Sequence, residues 1–321
     1  MAQTDDPGPP HTGRAVLGGG MVPVVGRGFL MGSADFYPEE RPVRGKRVGS
    51  FWIDRCQVTN AQFAAFVAAT GYVTVAERPL DPEGFPGATA ELLQPGGLVF
   101  QQTDGPVPLN DYTAWWRYQP GASWRTPRGP GTDVELLADH PVVQVAYEDA
   151  STYAAWRGAR LPTEAEWEFA ARGGLDGSVY TWGDQPDSDG PYLANTWRGR
   201  FPWQNLALDG YEATSPVGSF PANGYGLHDM AGNVWEWTSD WWHEGHRPAA
   251  HACCGTDDGR STAAPGEGVP RRVIKGGSHL CSPDYCLRYR PAARQPEAVD
   301  TATCHLGFRC VVDRSADAAT A

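Results

Sequence analysis

RLPTEAEWEFAARGG, residues 160–174, holds a whole helix with both of its ends. Thr163 precedes a run of good helix formers, and Glu166 follows it three positions on. In that pattern each side chain can bond the other residue's backbone N–H. Glu164 and Glu166 fall in the first turn and Arg172 in the last, as the helix dipole favours. Gly173-Gly174 then offers a left-handed stop. Just upstream, residues 147–157 predict a second short helix ending at Gly158. Further back, SFWIDRCQVTN (50–60) alternates as a strand does and runs into Thr59-Asn60-Ala61-Gln62, another capping pattern. AQFAAFVAAT continues with helical spacing up to Gly71. MVPVVGRGFLMG (21–32) predicts a strand, a glycine turn and a second strand. Downstream, RVIK (272–275) and GFRCVVD (307–313) predict strands. Between these, residues 79–135 show no sustained period and predict irregular chain onto which Trp115, Trp116 and Trp124 pack. Residues 175–245 predict short strands and loops, and residues 243–270 an exposed polar insertion.

The composition agrees with this picture. Among 321 residues there are 39 Gly, 28 Pro and 13 Trp, while charged residues make up only 20%. That mixture suits a loop-rich fold pinned by large aromatics, and hydrophobic residues at 41% suffice for a sizeable core. We expect one α+β domain with little regular secondary structure over residues 21–314. A disordered leader (1–20) would precede it and a frayed tail (315–321) follow. The net charge of −12 argues against nucleic-acid binding, which needs a basic face. No stretch has the ~20 apolar residues of a membrane span. The first residues contain acidic groups and no apolar signal core, so the expected compartment is the cytoplasm.

Seven cysteines occur, an odd number in a long chain, which counts against a disulfide-framed scaffold. Two of them, Cys281 and Cys286, stand in HLCSPDYCLRYR (279–290). Pro283 between them opposes a regular helix, and five positions align poorly on one helical face. A loop can bring the sulfurs together. The spacing alone leaves open a disulfide, half of a zinc site, two buried core thiols or a reactive pair. Structural zinc wants four ligands, and the other close pair, Cys253-Cys254, lies in the insertion. Two facing thiolates are soft donors suited to Cu(I).

Several stretches converge on one family. They are GFLMGS (28–33), DHPVVQVAYEDA (139–150), RLPTEAEWEFAARGG, NGYGLHDMAGNVWEWTSDWW (223–242), KGGSHLC (275–281), YCLRYRPAAR (285–294) and LGFRC (306–310). In this order they resemble the formylglycine-generating enzyme, or sulfatase-modifying factor, family, of a prokaryotic type. RLPTEAEWE and GNVWEW mark the superfamily, and the Cys281/Cys286 pair is the specific part. The resemblance implies a C-type-lectin-like domain and an O2-using oxidase. Its client would be an unfolded or nascent sulfatase carrying a Cys-x-Pro-x-Arg motif, whose cysteine becomes Cα-formylglycine. It implies Cu(I) on Cys281 and Cys286, with the client thiolate as third sulfur ligand. A metal-free redox disulfide is the alternative chemistry. Ser278, Tyr285 and Trp235 match an oxygen pocket. We expect the protein to act as a monomer.

The resemblance also implies two calcium sites. Asn195 and Asp209 would bind through side chains, Thr196 and Tyr211 through carbonyls. In the second set Asp229 and Glu236 would offer carboxylates, Gly232 and Val234 carbonyls. Calcium takes six to eight hard oxygens. The plain alternative is that Asp209 and Glu236 cap turns or pair with arginines. Arg288, Arg290 and Arg294 either wall a peptide groove or satisfy carboxylates beneath the surface. His243, His246, His251, Cys253 and Cys254 are too irregularly spaced to define a metal site. Ala154 and Ala171 stand where secreted members carry cysteines. Cys304, His305 and the segment 295–303 depart from the family's usual residues near the substrate. Two other readings of the same superfamily are a non-catalytic calcium-stabilised binding module and a non-haem iron sulfoxide synthase relative. The paired thiols oppose the first, and the absence of a three-histidine helical domain the second.

Overall fold

Both predicted capping boxes are present. Thr163 Oγ1 accepts from Glu166 N (3.2 Å) while Thr163 N donates to the Glu166 carboxylate (2.8 Å). Thr59 and Gln62 make the same reciprocal pair, and Gly71 and Gly173 end their helices in the left-handed region. The computed structural model describes residues 20–84, 87, 89–90, 92–187, 190–244 and 269–314. The leader, the tail and most of the expected insertion, with His246, His251, Cys253 and Cys254, lie outside the described residues.

In chain order the elements are β1 (Met21–Val24), β2 (Gly28–Met31), β3 (Arg44–Arg47), β4 (Phe51–Asp54), α1 (Asn60–Thr70), β5 (Gly96–Phe100) and β6 (Trp116–Pro120). There follow α2 (Tyr147–Trp156), α3 (Glu164–Arg172), β7 (Gly199–Arg200), β8 (Gln204–Asn205), β9 (Trp235–Trp241), β10 (Arg271–Lys275), β11 (Gln295–Ala298), β12 (Leu306–Gly307) and β13 (Val311–Asp313). One sheet has the order β1-β4-β13 and another β11-β10-β9-β12; β2-β3, β5-β6 and β7-β8 are two-stranded ribbons. This is the expected α+β domain of few helices, small sheets and many loops.

Three expectations change in detail. The strands β1 and β2 form, but they pair in different sheets. GFRCVVD is not one strand: β12 lies parallel to β9 and β13 antiparallel to β4, so this stretch stitches the two main sheets together. Residues 79–135 contain the β5-β6 ribbon, with Leu98 opposite Tyr118. Its glycines and prolines hide the alternation that would have marked it.

Helix α3 shows why the opening motif governs the fold. Its buried side includes Glu164, Trp167 and Glu168. Glu168 accepts from Gly32 N (2.8 Å), Arg172 Nη2 (2.7 Å) and Lys275 Nζ (3.1 Å), tying β10 and the end of β2 to the helix. Trp167 Nε1 donates to Glu236 Oε2 (2.8 Å), and the Arg309 guanidinium grips both Glu236 oxygens (2.7 and 2.8 Å). Thus three of the quoted stretches meet at one buried carboxylate. A buried charge of this kind persists only when paired and hydrogen-bonded. Around it pack the aromatic core of α1, α2 and β9, including Phe63, Phe66, Tyr153 and Trp237, and a second core of β1, β2, β4 and α3.

Candidate active site

The loop that carries the thiols leaves β10 through Gly276-Gly277. Gly277 has φ +68°, and a Cβ there would sit 2.9 Å from Tyr289 backbone atoms. Only glycine lets the chain turn this closely past its own continuation. Cys281 N then donates to Ser278 O (2.9 Å), and Cys286 N to Ser282 O (2.7 Å), so two successive turns curl the segment around Pro283. The curl sets Cys281 Sγ 3.2 Å from Cys286 Sγ. A disulfide would need about 2.05 Å, so the two sulfurs face one another with no bond between them. The spacing argument for a loop holds, and the staple is excluded in this state.

The two sulfurs are unlike. Cys281 is buried, and burial pushes its thiol well above the usual value. Cys286 is half-buried and is drawn below the usual value, first by the hydrogen bond from Cys281 and then by Arg288. Of the pair, Cys286 is therefore the sulfur that ionises first and Cys281 the one that keeps its proton. Ser278 is buried beside them; its N–H points at Cys281 Sγ (3.4 Å), and its Oγ accepts from Leu280 N (3.2 Å). Tyr285 lies flat on Phe201 (centroids 4.4 Å apart, 3°) and edge-on to Trp115 (5.5 Å). Burial, then the neighbouring sulfurs, lifts its hydroxyl to about 12, so it stays a proton donor. Trp197 N donates to Cys281 O (2.9 Å), joining the loop to the third core of Trp115, Trp197, Phe201 and Leu280. Trp235 is buried in the same core cluster as Cys281, its N–H donating to His305 O (2.9 Å).

The arginines divide. Arg290 and Arg294 do not wall a groove: they are 1% and 3% exposed, paired with Glu40 and Glu164. Their charge is consumed beneath the surface, where an unpaired guanidinium would be too costly. Arg288 is half-buried, pairs with Glu39 (2.7 Å) and bears on Cys286. Tyr37 accepts from Leu287 N at 3.1 Å and stacks under Arg288, while Phe36 lies under Arg290. Sequence reading missed Phe36, Tyr37, Glu39 and Glu40 as the brace of this loop. The available signal was two adjacent acids behind two aromatics in DFYPEERP, residues 35–42, far from the arginines they serve. Of the irregular His/Cys group only His243 falls among the described residues, and its carbonyl accepts from Arg294.

The first oxygen set is brought together. Asp209 accepts from Thr196 N and Tyr211 N (both 3.2 Å), with Arg198 Nε at 3.5 Å. Asn195 Oδ1 is buried without a hydrogen-bond partner, and burial pushes Asp209 up. The orphaned Asn195 acceptor fits a hard cation, whereas Asp209, bonded to two backbone N–H groups with Arg198 nearby, also meets the plain alternative of a turn cap beside an arginine. In the second set Asp229 O, Val234 O and Glu236 Oε1 lie 3.3, 3.2 and 3.1 Å from Gln57 Nε2. The oxygens converge, but the Asp229 carboxylate does not join them; it turns to Gly218 N (2.7 Å). Glu236 is already neutralised by Arg309, so this set is the poorer fit for a divalent ion. Among the described residues no group of three or more His, Cys, Asp or Glu side chains could hold a metal ion. No helix among them is long and apolar enough to cross a membrane.

Comparison with known proteins bears on this geometry. Residues 10–314 match the sulfatase-modifying factor enzyme 1-like domain. A formylglycine-generating enzyme of Mycobacterium tuberculosis is 56% identical over 91% of this chain and 97% of that protein. One from Thermomonospora curvata is 46% identical over 92% and 93%. The structure of PvdO from Pseudomonas aeruginosa superposes with a TM-score of 0.59 at 27% identity, covering 91% of this chain and 93% of that one. With motifs, fold and relatives in agreement, the chain belongs to the family of formylglycine-generating, sulfatase-modifying factor domains.

Proposed function

We propose that this protein converts a client sulfatase cysteine, in a Cys-x-Pro-x-Arg type motif, to Cα-formylglycine, with O2 as oxidant. The observation that carries the reading is the unbonded Cys281/Cys286 pair, 3.2 Å apart, in a fold whose relatives bear that activity in their names. The donor set of two soft sulfurs fits Cu(I), which when bound would supply the one-electron chemistry that thiols and O2 lack together. The residues themselves do the rest. Cys286 ionises first, and Cys281 keeps the proton that any soft metal must displace. The Ser278 and Tyr285 hydroxyls stay protonated beside the sulfurs, as donors to reduced oxygen. Phe201, Trp115 and Trp235 keep the surroundings apolar. The client loses two hydrogens, one from sulfur and one from Cβ; O2 takes up these two electrons and protons with two more of each from an external reductant and leaves as two waters, and the resulting thioaldehyde takes up water and releases hydrogen sulfide, leaving the aldehyde. Calcium at the Asn195/Asp209 set would tie two loops next to Trp197, which holds the Cys281 carbonyl.

Mass spectrometry of a Cys-x-Pro-x-Arg peptide, incubated with protein, Cu(I), reductant and air, tests this. Loss of the thiol mass and gain of the aldehyde is expected, abolished in Cys286→Ala with the fold intact. An unchanged peptide, or full activity in Cys286→Ala, sinks the proposal.

A further inference from the structure

The two sulfurs are anchored by different remote segments. On the Cys281 side the anchor is Trp197, whose N–H donates to the Cys281 carbonyl (2.9 Å). On the Cys286 side it is DFYPEERP, residues 35–42. The Tyr37 hydroxyl accepts from Leu287 N (3.1 Å), the amide directly after Cys286. The Arg288 guanidinium lies 3.8 Å from the centroid of the same tyrosine ring, and Glu39 holds that guanidinium at 2.7 Å. The loop's own turn sets Cys286 N against Ser282 O (2.7 Å), and the two residues that follow Cys286 are both gripped by Tyr37. The gripping segment is itself fixed. It turns through a short 3-10 helix, Pro38–Glu40, and Glu40 pairs with Arg290. At its root Ser33 N donates to Glu40 O (3.3 Å) and Gly32 N to Glu168 (2.8 Å), which ties it to α3.

We propose that Tyr37 is a positioning residue for the Cys286 sulfur: its hydroxyl and its ring hold Leu287 and Arg288 so that Cys286 faces Cys281 and shares a soft metal with it. The metal part of this rests on the Cu(I) reading above; the placing of the sulfur does not. A ligand carried on a loop must be ordered when it binds, and a residue that immobilises the loop beforehand removes that cost. Tyr37 does so through its neighbours in two separable ways. The hydroxyl fixes the backbone next to Cys286, and the ring gives the guanidinium a face to lie on.

The test reads the sulfur pair and not turnover. Cu(I) affinity is measured without air, by competition with a coloured chelator. The tendency of Cys281 and Cys286 to close on one another is measured in a glutathione buffer, where oxidised glutathione takes two electrons and two protons from the thiols and becomes two reduced molecules. Tyr37→Phe keeps the ring and should weaken both equilibria roughly five-fold, the weight of one neutral hydrogen bond. Tyr37→Leu loses the ring as well and should weaken both further. Tyr72→Phe is the control: it removes a hydroxyl that donates to Asp149 (3.0 Å), just after α1, and should leave both constants at wild-type values. Unchanged constants in Tyr37→Phe, or an equal loss in Tyr72→Phe, overturn the assignment and leave Tyr37 a residue of general stability. A wild type that binds no Cu(I) removes the metal from the function proposed above, and the glutathione equilibrium then decides on Tyr37 by itself: a comparable loss upholds the assignment and an unchanged constant overturns it.

Discussion

At the scale of single residues, the asymmetry of the thiol pair decides reactivity. The nucleophile and metal ligand is the thiolate. Cys286 is the sulfur that ionises first, because Cys281 donates to it and Arg288 stands beside it. Its folded value lies below the ordinary thiol value, so thiolate is present above a lower pH than in a free cysteine and is lost as pH falls through that value. Alkylation by iodoacetamide, followed by peptide mapping, should show Cys286 reacting with a midpoint below about 8.5. Arg288→Met should raise that midpoint, and an unshifted midpoint would remove Arg288 from the account. Cys281 should stay unreactive across the same range, since burial holds its proton. The pair itself was legible in sequence through Pro283 and the five-residue spacing. Its inequality was not, because it arises from burial and from an arginine whose own partner, Glu39, is remote in sequence.

At the scale of elements, α3 and β10 are joined by buried charge. Lys275 is fully buried against Glu168 and close to Glu164 (4.0 Å). Removing one partner leaves the other charge stranded, whereas removing both removes the desolvation cost with the attraction. Lys275→Met should therefore cost about 3–5 kcal/mol in urea unfolding. The double variant with Glu168→Gln should be less destabilised than the sum of the two single changes. Additive losses would show that the pair does not act as a unit. The elements were the part of the fold most readable in advance: α1 and α3 appear where caps and glycine stops put them, and α2 ends just before Gly158 as expected. The β5-β6 ribbon escaped because Gly96, Gly97 and Pro120 interrupt its pattern, and its register exists only between two segments sixteen or more residues apart at their closest facing ends.

At the scale of the molecule, loops outweigh helices and strands, so what ties loops together governs rigidity. The aromatic cores and buried ion pairs do much of this, and calcium at the Asn195/Asp209 set would add to it by binding the folded state alone. Chelation should lower the melting temperature measured by calorimetry, and Asn195→Ala should abolish the calcium-dependent part. A melting temperature indifferent to both chelator and substitution would exclude a calcium role for this set. The sequence by itself determined the helices, the family and the cysteine pair, because capping, spacing and motif order are local properties of the chain. Only the tertiary structure decided which charges are free to meet a ligand. Arg290 and Glu236 look like surface groups in one dimension, yet folding buries each against Glu40 and Arg309. Arg128 and Glu212 look no different in the chain and are left facing an open cavity. The reason is that a charge is consumed or kept by the partners that distant segments bring to it, and those partners are set by the fold.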